Sequence, residues 1–307
     1  MTKRKVVLII IEIAAFFLCA IILAKILGSR LSAPAEHIET FIGETKDIDA
    51  GSDIKEVSAD RDTVTVDKKG KTLTVIPNKT GKTKVTVSLK KNGLSLLSGF
   101  SNRKTYEVTV KENPVKGKVL SLSEDIYGNN IAIISVKNTS GYNLSNVSAD
   151  YTVNGSKSTG AVADGTQTFT SLRAGETRYF TAVLDKQPEG QPTVDTEKSS
   201  IRTSFLKAVK QERSDKSFNK KVSVSSDIEK ALSSGSRYTK VTIKNDSKKD
   251  ASVLVTFVYY DADGRVSNIW TDETIYPAGR KTANTYDVTF DKDRDKSVKA
   301  IYQVFEA

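Results

Sequence analysis

Cysteine and histidine are almost missing from this chain of 307 residues, which holds one of each, Cys19 and His37. A lone cysteine cannot close a disulfide within the chain, so every folded part must be held by packing. Metal sets built on Cys and His are excluded, and so are Cys–His and Ser–His–Asp schemes, which have no base inside a folded segment. Paired carboxylates could still serve glycosidase chemistry, but small β-modules lack the large cleft it needs. The chain therefore reads as non-enzymatic, with no catalytic, cofactor-binding or metal-binding residue to nominate.

Long apolar runs are also missing, with one exception at the start. Val6–Leu27 reads VVLIIIEIAAFFLCAIILAKIL, 22 residues broken only by Glu12 and Lys25. As a helix it would be about 33 Å long, enough to cross a hydrocarbon core of about 30 Å. Lys3, Arg4 and Lys5 precede it, and basic residues stay on the cytoplasmic side. The expectation is a cytoplasmic tail over 1–5, a transmembrane helix over 6–27, a linker over 28–36, and an extracellular remainder. A cleaved signal peptide is the competing reading, because Ala33-Pro34-Ala35 offers a small-x-small cleavage site. The distance from the apolar segment to that site favours the uncleaved anchor. Leu18 before Cys19 is too large for a lipoprotein signal. Glu12 has two readings, an intramembrane contact with a partner helix or a side chain snorkelling toward the cytoplasmic interface; the second is the simpler.

Of the cations behind the net charge of +10, Lys3, Arg4, Lys5, Lys25 and Arg30 lie within or beside that run. The excess beyond it is mild, suited to resting near anionic wall polymers or lipid headgroups. No basic helix, zinc ligand set or aromatic RNA-binding signature is present, which argues against nucleic acid as a partner.

After the linker, short period-2 runs alternate with turn residues, the pattern of an all-β chain of sandwiches. The first block spans 37–112. Thr63-Val64-Thr65-Val66 and Thr72-Leu73-Thr74-Val75 flank Asp67-Lys68-Lys69-Gly70 as a hairpin, and Lys84–Val87 and Tyr106–Val110 add two more strands. With Gly43-Glu44-Thr45 near its start and Thr80-Gly81-Lys82-Thr83 before Val85, this block resembles the bacterial Ig-like group 2 domains. That resemblance implies a stalk or adhesive module on a cell surface, without catalytic residues. Between its last two strands lies an unusual loop. Leu94, Leu96, Leu97 and Phe100 stand framed by Lys90, Lys91, Arg103 and Lys104, either as an apolar tip for a partner or as structural packing.

An internal repeat follows Pro114. Ile134-Ser135-Val136-Lys137-Asn138-Thr139-Ser140 matches Val241-Thr242-Ile243-Lys244-Asn245-Asp246-Ser247, and Leu172-Arg173-Ala174-Gly175-Glu176 matches Tyr276-Pro277-Ala278-Gly279-Arg280. Two related β-sandwich units are expected, over 117–207 and 221–307. The segment Lys207–Lys221 is read as a solvated linker or the edge of a final strand. Phe257, Tyr260 and Asp261, with Tyr259 in place of Leu, resemble the FxLYD family, which implies an envelope location rather than an activity. Asp261-Ala262-Asp263-Gly264 and Asp291–Asp295 read as turns rather than calcium loops. Trp270, the sole tryptophan, is expected in the core. Six Asn-x-Ser/Thr sequons begin at Asn78, Asn138, Asn143, Asn146, Asn154 and Asn245, as a Ser/Thr-rich composition produces by chance.

The expected fold is all-β, an N-terminal transmembrane helix followed by three tandem Ig-like sandwiches. The expected function is non-catalytic display on a bacterial envelope, for structural or adhesive roles. Its partners would be the membrane and a cell-wall polymer or another surface protein. The alternatives are an accessory subunit of a membrane assembly or signalling system, or a cell-wall carbohydrate-binding protein.

Overall fold

The computed structural model of the protein describes residues 35–90, 102–125, 128–155, 160–184, 195, 198–211, 218–288 and 295–307. The run Val6–Leu27 with Glu12, and the loop residues Leu94, Leu96, Leu97 and Phe100, lie outside them. Among the described residues no helix is long and apolar enough to cross a membrane. The fold is all-β, six sheets with two short helices among the described residues, and it divides between Asn113 and Pro114 into two compact units.

The first unit contains β1 (Glu36–Phe41), β2 (Lys46–Asp49), β3 (Ile54–Ser58), β4 (Val64–Lys69), β5 (Thr72–Pro77), β6 (Gly81–Leu89) and β7 (Arg103–Lys111). One sheet runs β1-β7-β6-β3 and the other β2-β5-β4. Alternation makes them a sandwich: Leu73, Val75, Val85, Val87, Tyr106, Val108 and Val110 are buried while intervening threonines stay partly exposed. Each buried aliphatic side chain contributes about 1.5–3 kcal/mol over leaving it in water. The β4–β5 hairpin is tighter than the sequence pattern implies. Asp67, Lys68 and Lys69 pair with Thr74, Leu73 and Thr72 instead of forming the turn, and Gly70 reverses the chain at φ +59°. β1 pairs with β7 in parallel, Ile38 opposite Val108.

The second unit opens with β8 (Val115–Glu124), β9 (Asn130–Asn138), β10 (Tyr142–Asn154), β11 (Ala161–Leu172), β12 (Thr177–Val183), β13 (Ser200–Ser204) and β14 (Lys207–Lys210). It continues with α1 (Phe218–Lys221), β15 (Val222–Ser226), α2 (Ile228–Ser233), β16 (Tyr238–Asn245), β17 (Ala251–Tyr260), β18 (Val266–Tyr276), β19 (Arg280–Asp287) and β20 (Ser297–Glu306). The first seven strands form sheets β12-β9-β8 and β11-β10-β13, with β14 also on β10; the last six form β15-β16-β19 and β18-β17-β20. Strand for strand this is one topology built twice. β14 makes the start of Lys207–Lys221 an edge strand, its lysines at both ends guarding the edge against pairing with other chains. α2 was not legible as a helix; it buries only Ile228 and Ala231, one turn apart, which is too short a run to show helical periodicity.

Two cores result. Val119, Ala132, Ile134, Val153, Val162 and Ala182 fill the first, and Val241, Ile243, Val253, Val255, Phe257 and Tyr259 the second. β17 is buried on both faces. Its alternate residues Ser252, Leu254, Thr256 and Val258 lie outside that second core yet are buried. Ile131 and Ile133 of β9 are likewise buried away from the first core. β18 lies against β8, β9 and β12, so the two sandwiches join face to face. The sheets stack in four layers: β11-β10-β13, β12-β9-β8, β18-β17-β20, β15-β16-β19.

Candidate functional site

Three arrangements in the second unit carry most of its polar chemistry. The first explains the internal repeat. Asn138 is fully buried; its Nδ2 donates to the carbonyls of Tyr142 (2.7 Å), Leu172 (3.1 Å) and Arg173 (3.0 Å), and its Oδ1 accepts from the Ser140 amide and hydroxyl. Asn245 repeats this. Its Nδ2 donates to Lys249, Tyr276 and Pro277 carbonyls at 2.9, 3.1 and 3.3 Å, and its Oδ1 accepts from Ser247. The two segments matched in the sequence are thus the two halves of one contact. An asparagine is required because only an amide offers donors to carbonyls on one side and an acceptor on the other. Both side chains sit at 0 % exposure, so these two sequons are unsuited to glycosylation.

The second arrangement is a charge network at the junction of the two sandwiches. The buried carboxylate of Glu176 accepts the Arg173 amide through Oε2 at 2.7 Å and meets Arg178 Nε through Oε1. Arg178 Nη2 donates to Glu273 Oε2 of β18 at 2.5 Å, and Arg173 Nη1 stands 2.7 Å from Glu273 Oε1. The Arg178 Nε and Arg173 Nη1 contacts miss hydrogen-bond alignment and act as charge pairs. Ser252 adds a hydroxyl to Glu273 at 2.6 Å, and Arg173 also lies 4.9 Å from the centroid of the Phe305 ring. Burial alone would push the Glu273 carboxyl up, but the Ser252 and Arg178 hydrogen bonds and the Arg173 charge beside it outweigh it and hold it down at about 2. Around this centre the backbone of Thr177 exchanges two hydrogen bonds with the Gln303 amide, at 2.7 and 2.8 Å. Ser121 and Ser123 donate to the carbonyls of Val266 and Ser267.

The third is an aromatic and polar seam between β18 and β19, which edge the two sheets of the last sandwich. Trp270 stacks on Phe257 (centroids 5.7 Å apart) and meets Tyr286 edge-on at 5.3 Å. It is nevertheless 41 % exposed, so it closes the side of the core instead of lying within it. Along the same face of β18 follow Asp272, Thr274 and Tyr276. Tyr286 OH and Thr274 Oγ1 both donate to Asp272 Oδ2, at 3.2 and 3.0 Å, and Asn284 Nδ2 donates to Tyr276 OH at 2.7 Å. Nothing in the sequence showed that β18 would be an edge strand, and that alone decides whether Trp270 reaches solvent.

The turn Asp261-Ala262-Asp263-Gly264 uses its first carboxylate internally. Asp261 Oδ1 accepts the amides of Asp263 and Arg265 at 2.9 and 2.8 Å, and Gly264 takes φ +74°. Asp295 ends the second acidic segment buried, accepting the Ser267 hydroxyl at 2.6 Å; residues 291–294 lie outside the described ones. Among the described residues no three His, Cys, Asp or Glu side chains converge as metal ligands would. In the first unit His37 Nδ1 is 3.2 Å from Glu107 Oε2 with its side chain 80 % exposed, far from the buried setting of a triad base. The flanks of the 91–101 loop are described: Leu89 N donates to Asn102 O at 2.8 Å, and Lys90 pairs with Asp53 at 3.6 Å.

No protein-family model matches the chain, and no curated protein matches it. The likenesses to the Ig-like group 2 and FxLYD domains rest on the residues quoted for them.

Proposed function

We propose that this chain is a non-catalytic, single-pass protein of a bacterial cell envelope, its N-terminus cytoplasmic and its three Ig-like sandwiches outside. The reading is carried by Val6–Leu27 behind Lys3-Arg4-Lys5, an apolar run of membrane-spanning length with its cations on one side. The all-β body supports it. Among the described residues its Asn138 and Asn245 contacts and the Glu273 network join sheets to one another. Such a body suits holding binding surfaces away from a bilayer, toward a wall polymer or another surface protein. The test is a protease-cleavable tag after Ala307 in cells stripped of their wall. Added protease removes the tag if the reading holds; full protection with an intact membrane overturns it.

Glu12 favours a second reading, in which the apolar run pairs with another membrane protein and the chain is an accessory subunit. Replacing Val6–Leu27 by polyleucine separates the two. A simple tether keeps its activity, while a subunit loses its assembly.

A further inference from the structure

We infer that the seam formed by Trp270, Asp272, Thr274, Asn284 and Tyr286 binds a neutral pyranose unit of a glycan. The inference deepens the surface-display reading and rests on it for the glycan's accessibility in the cell. Three features on one strip carry it.

The first is an aromatic surface left open where the fold could have closed it. Trp270 is held by Phe257 stacked on it and by Tyr286 in a T-shaped contact, yet two-fifths of it remains in solvent, at 41 % exposure. A large ring fixed in place from behind costs little ordering entropy when a ligand lands on it, and the C–H face of a pyranose is the matching apolar surface.

The second is the polar equipment beside the ring. Asp272 Oδ2 is occupied by Thr274 and Tyr286, while Oδ1 makes no hydrogen bond among the described residues. Asn284 spends its amide nitrogen on Tyr276 and Tyr286 and keeps its carbonyl oxygen unused among them. The internal bonds thus lock both side chains and leave one acceptor oxygen on each without a hydrogen bond among the described residues. An apolar platform with a few fixed polar groups is how small-molecule sites obtain orientation.

The third is charge. Among these five side chains the Asp272 carboxylate is the one ionised group, which disfavours an anionic ligand and suits an uncharged, hydroxyl-rich one. Trp270, Asp272 and Thr274 stand on β18 and Asn284 on the edge strand β19, so a sugar can lie along them without displacing either sheet. Tyr286 is buried in the core and holds Asp272 and Trp270 from within.

Trp270 is the only tryptophan in the protein, so fluorescence excited selectively at tryptophan reports on this site alone. The experiment titrates the full chain, held in a detergent without a sugar headgroup, with β-1,4-linked tetramers of glucose and of N-acetylglucosamine. The expected result is a saturable blue shift with at least one tetramer. Asp272→Asn and Asn284→Ala, which keep the reporter, should each weaken binding by about tenfold or more. Thermal unfolding of both variants checks that the fold is retained. If one variant fails that check, the other still decides. Absence of any shift with both tetramers at about 10 mM, or a shift of unchanged affinity in the folded variants, overturns the inference. The tag experiment is independent: sugar binding with a protected tag would sink surface display and spare the site, and the reverse outcome would do the opposite.

Discussion

Glu44 and Glu176 solve one problem in two unrelated places. Each follows a glycine of positive φ, Gly43 at +89° and Gly175 at +77°, and reaches back three residues to accept an amide, from Phe41 at 3.3 Å and Arg173 at 2.7 Å. The equivalent turn of the last sandwich, Pro277-Ala278-Gly279-Arg280, has arginine in place of the glutamate. The reason lies three residues earlier: Pro277 has no N–H to satisfy, so no buried carboxylate is required. Asn138 and Asn245 then lock their turns to the ends of β9 and β16. Removing either amide takes a donor from three carbonyls and an acceptor from a serine. Asn245→Ala should lower stability by about 2–4 kcal/mol, read as a shift of the urea midpoint. Asn245→Asp should do no better despite its matched shape, since an acceptor would face three acceptors; a variant as stable as the parent would refute this account of the repeat.

At the scale of elements, strands were legible wherever one face is buried, because alternation follows directly from the pleat. Val85, Val87, Tyr106 and Val108 declare their strands and their inward face at once. β17 carried a further signal in Ala251–Tyr260, ten residues with little alternation, the mark of a strand covered on both sides. What covers it was not legible. Glu273 meets arginines 95 and 100 positions earlier in the chain, and no local pattern encodes a pairing at that range. The same holds for the parallel β1–β7 pair and for Trp270 on an edge. The network has a clear pH consequence. The Glu273 carboxyl titrates at about 2 in the folded chain against an ordinary 4.5, so its stabilisation is complete above about pH 5 and fades as pH falls toward 2. Glu273→Gln should cost about 1–2 kcal/mol at pH 7. Because glutamine cannot titrate, the gap between the two melting temperatures should narrow steadily below pH 4.5. A gap independent of pH would mean that the carboxylate's charge is not what joins the sandwiches.

At the scale of the molecule, the repeat behaves differently from beads on a string. Independent tandem modules keep polar faces toward one another, and each survives alone. Here the buried face of β18-β17-β20 holds Leu254, Thr256 and Val258, and that of β12-β9-β8 holds Ile131 and Ile133. Separating the copies would expose both faces, strand Arg173 and Glu273 without their counter-charges, and leave Arg178 with Glu176 alone. Uncovering even half of such a sheet face costs several kcal/mol at about 25 cal/mol per Å², a large share of what a domain of this size has in total. A fragment covering 114–307 should therefore fold and stay monodisperse on size exclusion. A fragment covering 218–307 alone should bind a hydrophobic dye, aggregate or unfold at markedly lower temperature. The double mutant Leu254→Lys with Val258→Lys tests the cause. It should rescue the solubility of the short fragment while destabilising the long one, because charge is welcome on a face turned to water and expelled from one pressed against another sheet. If 218–307 melts where the long fragment does and needs no such rescue, the two sandwiches are autonomous and the junction is only a contact of convenience.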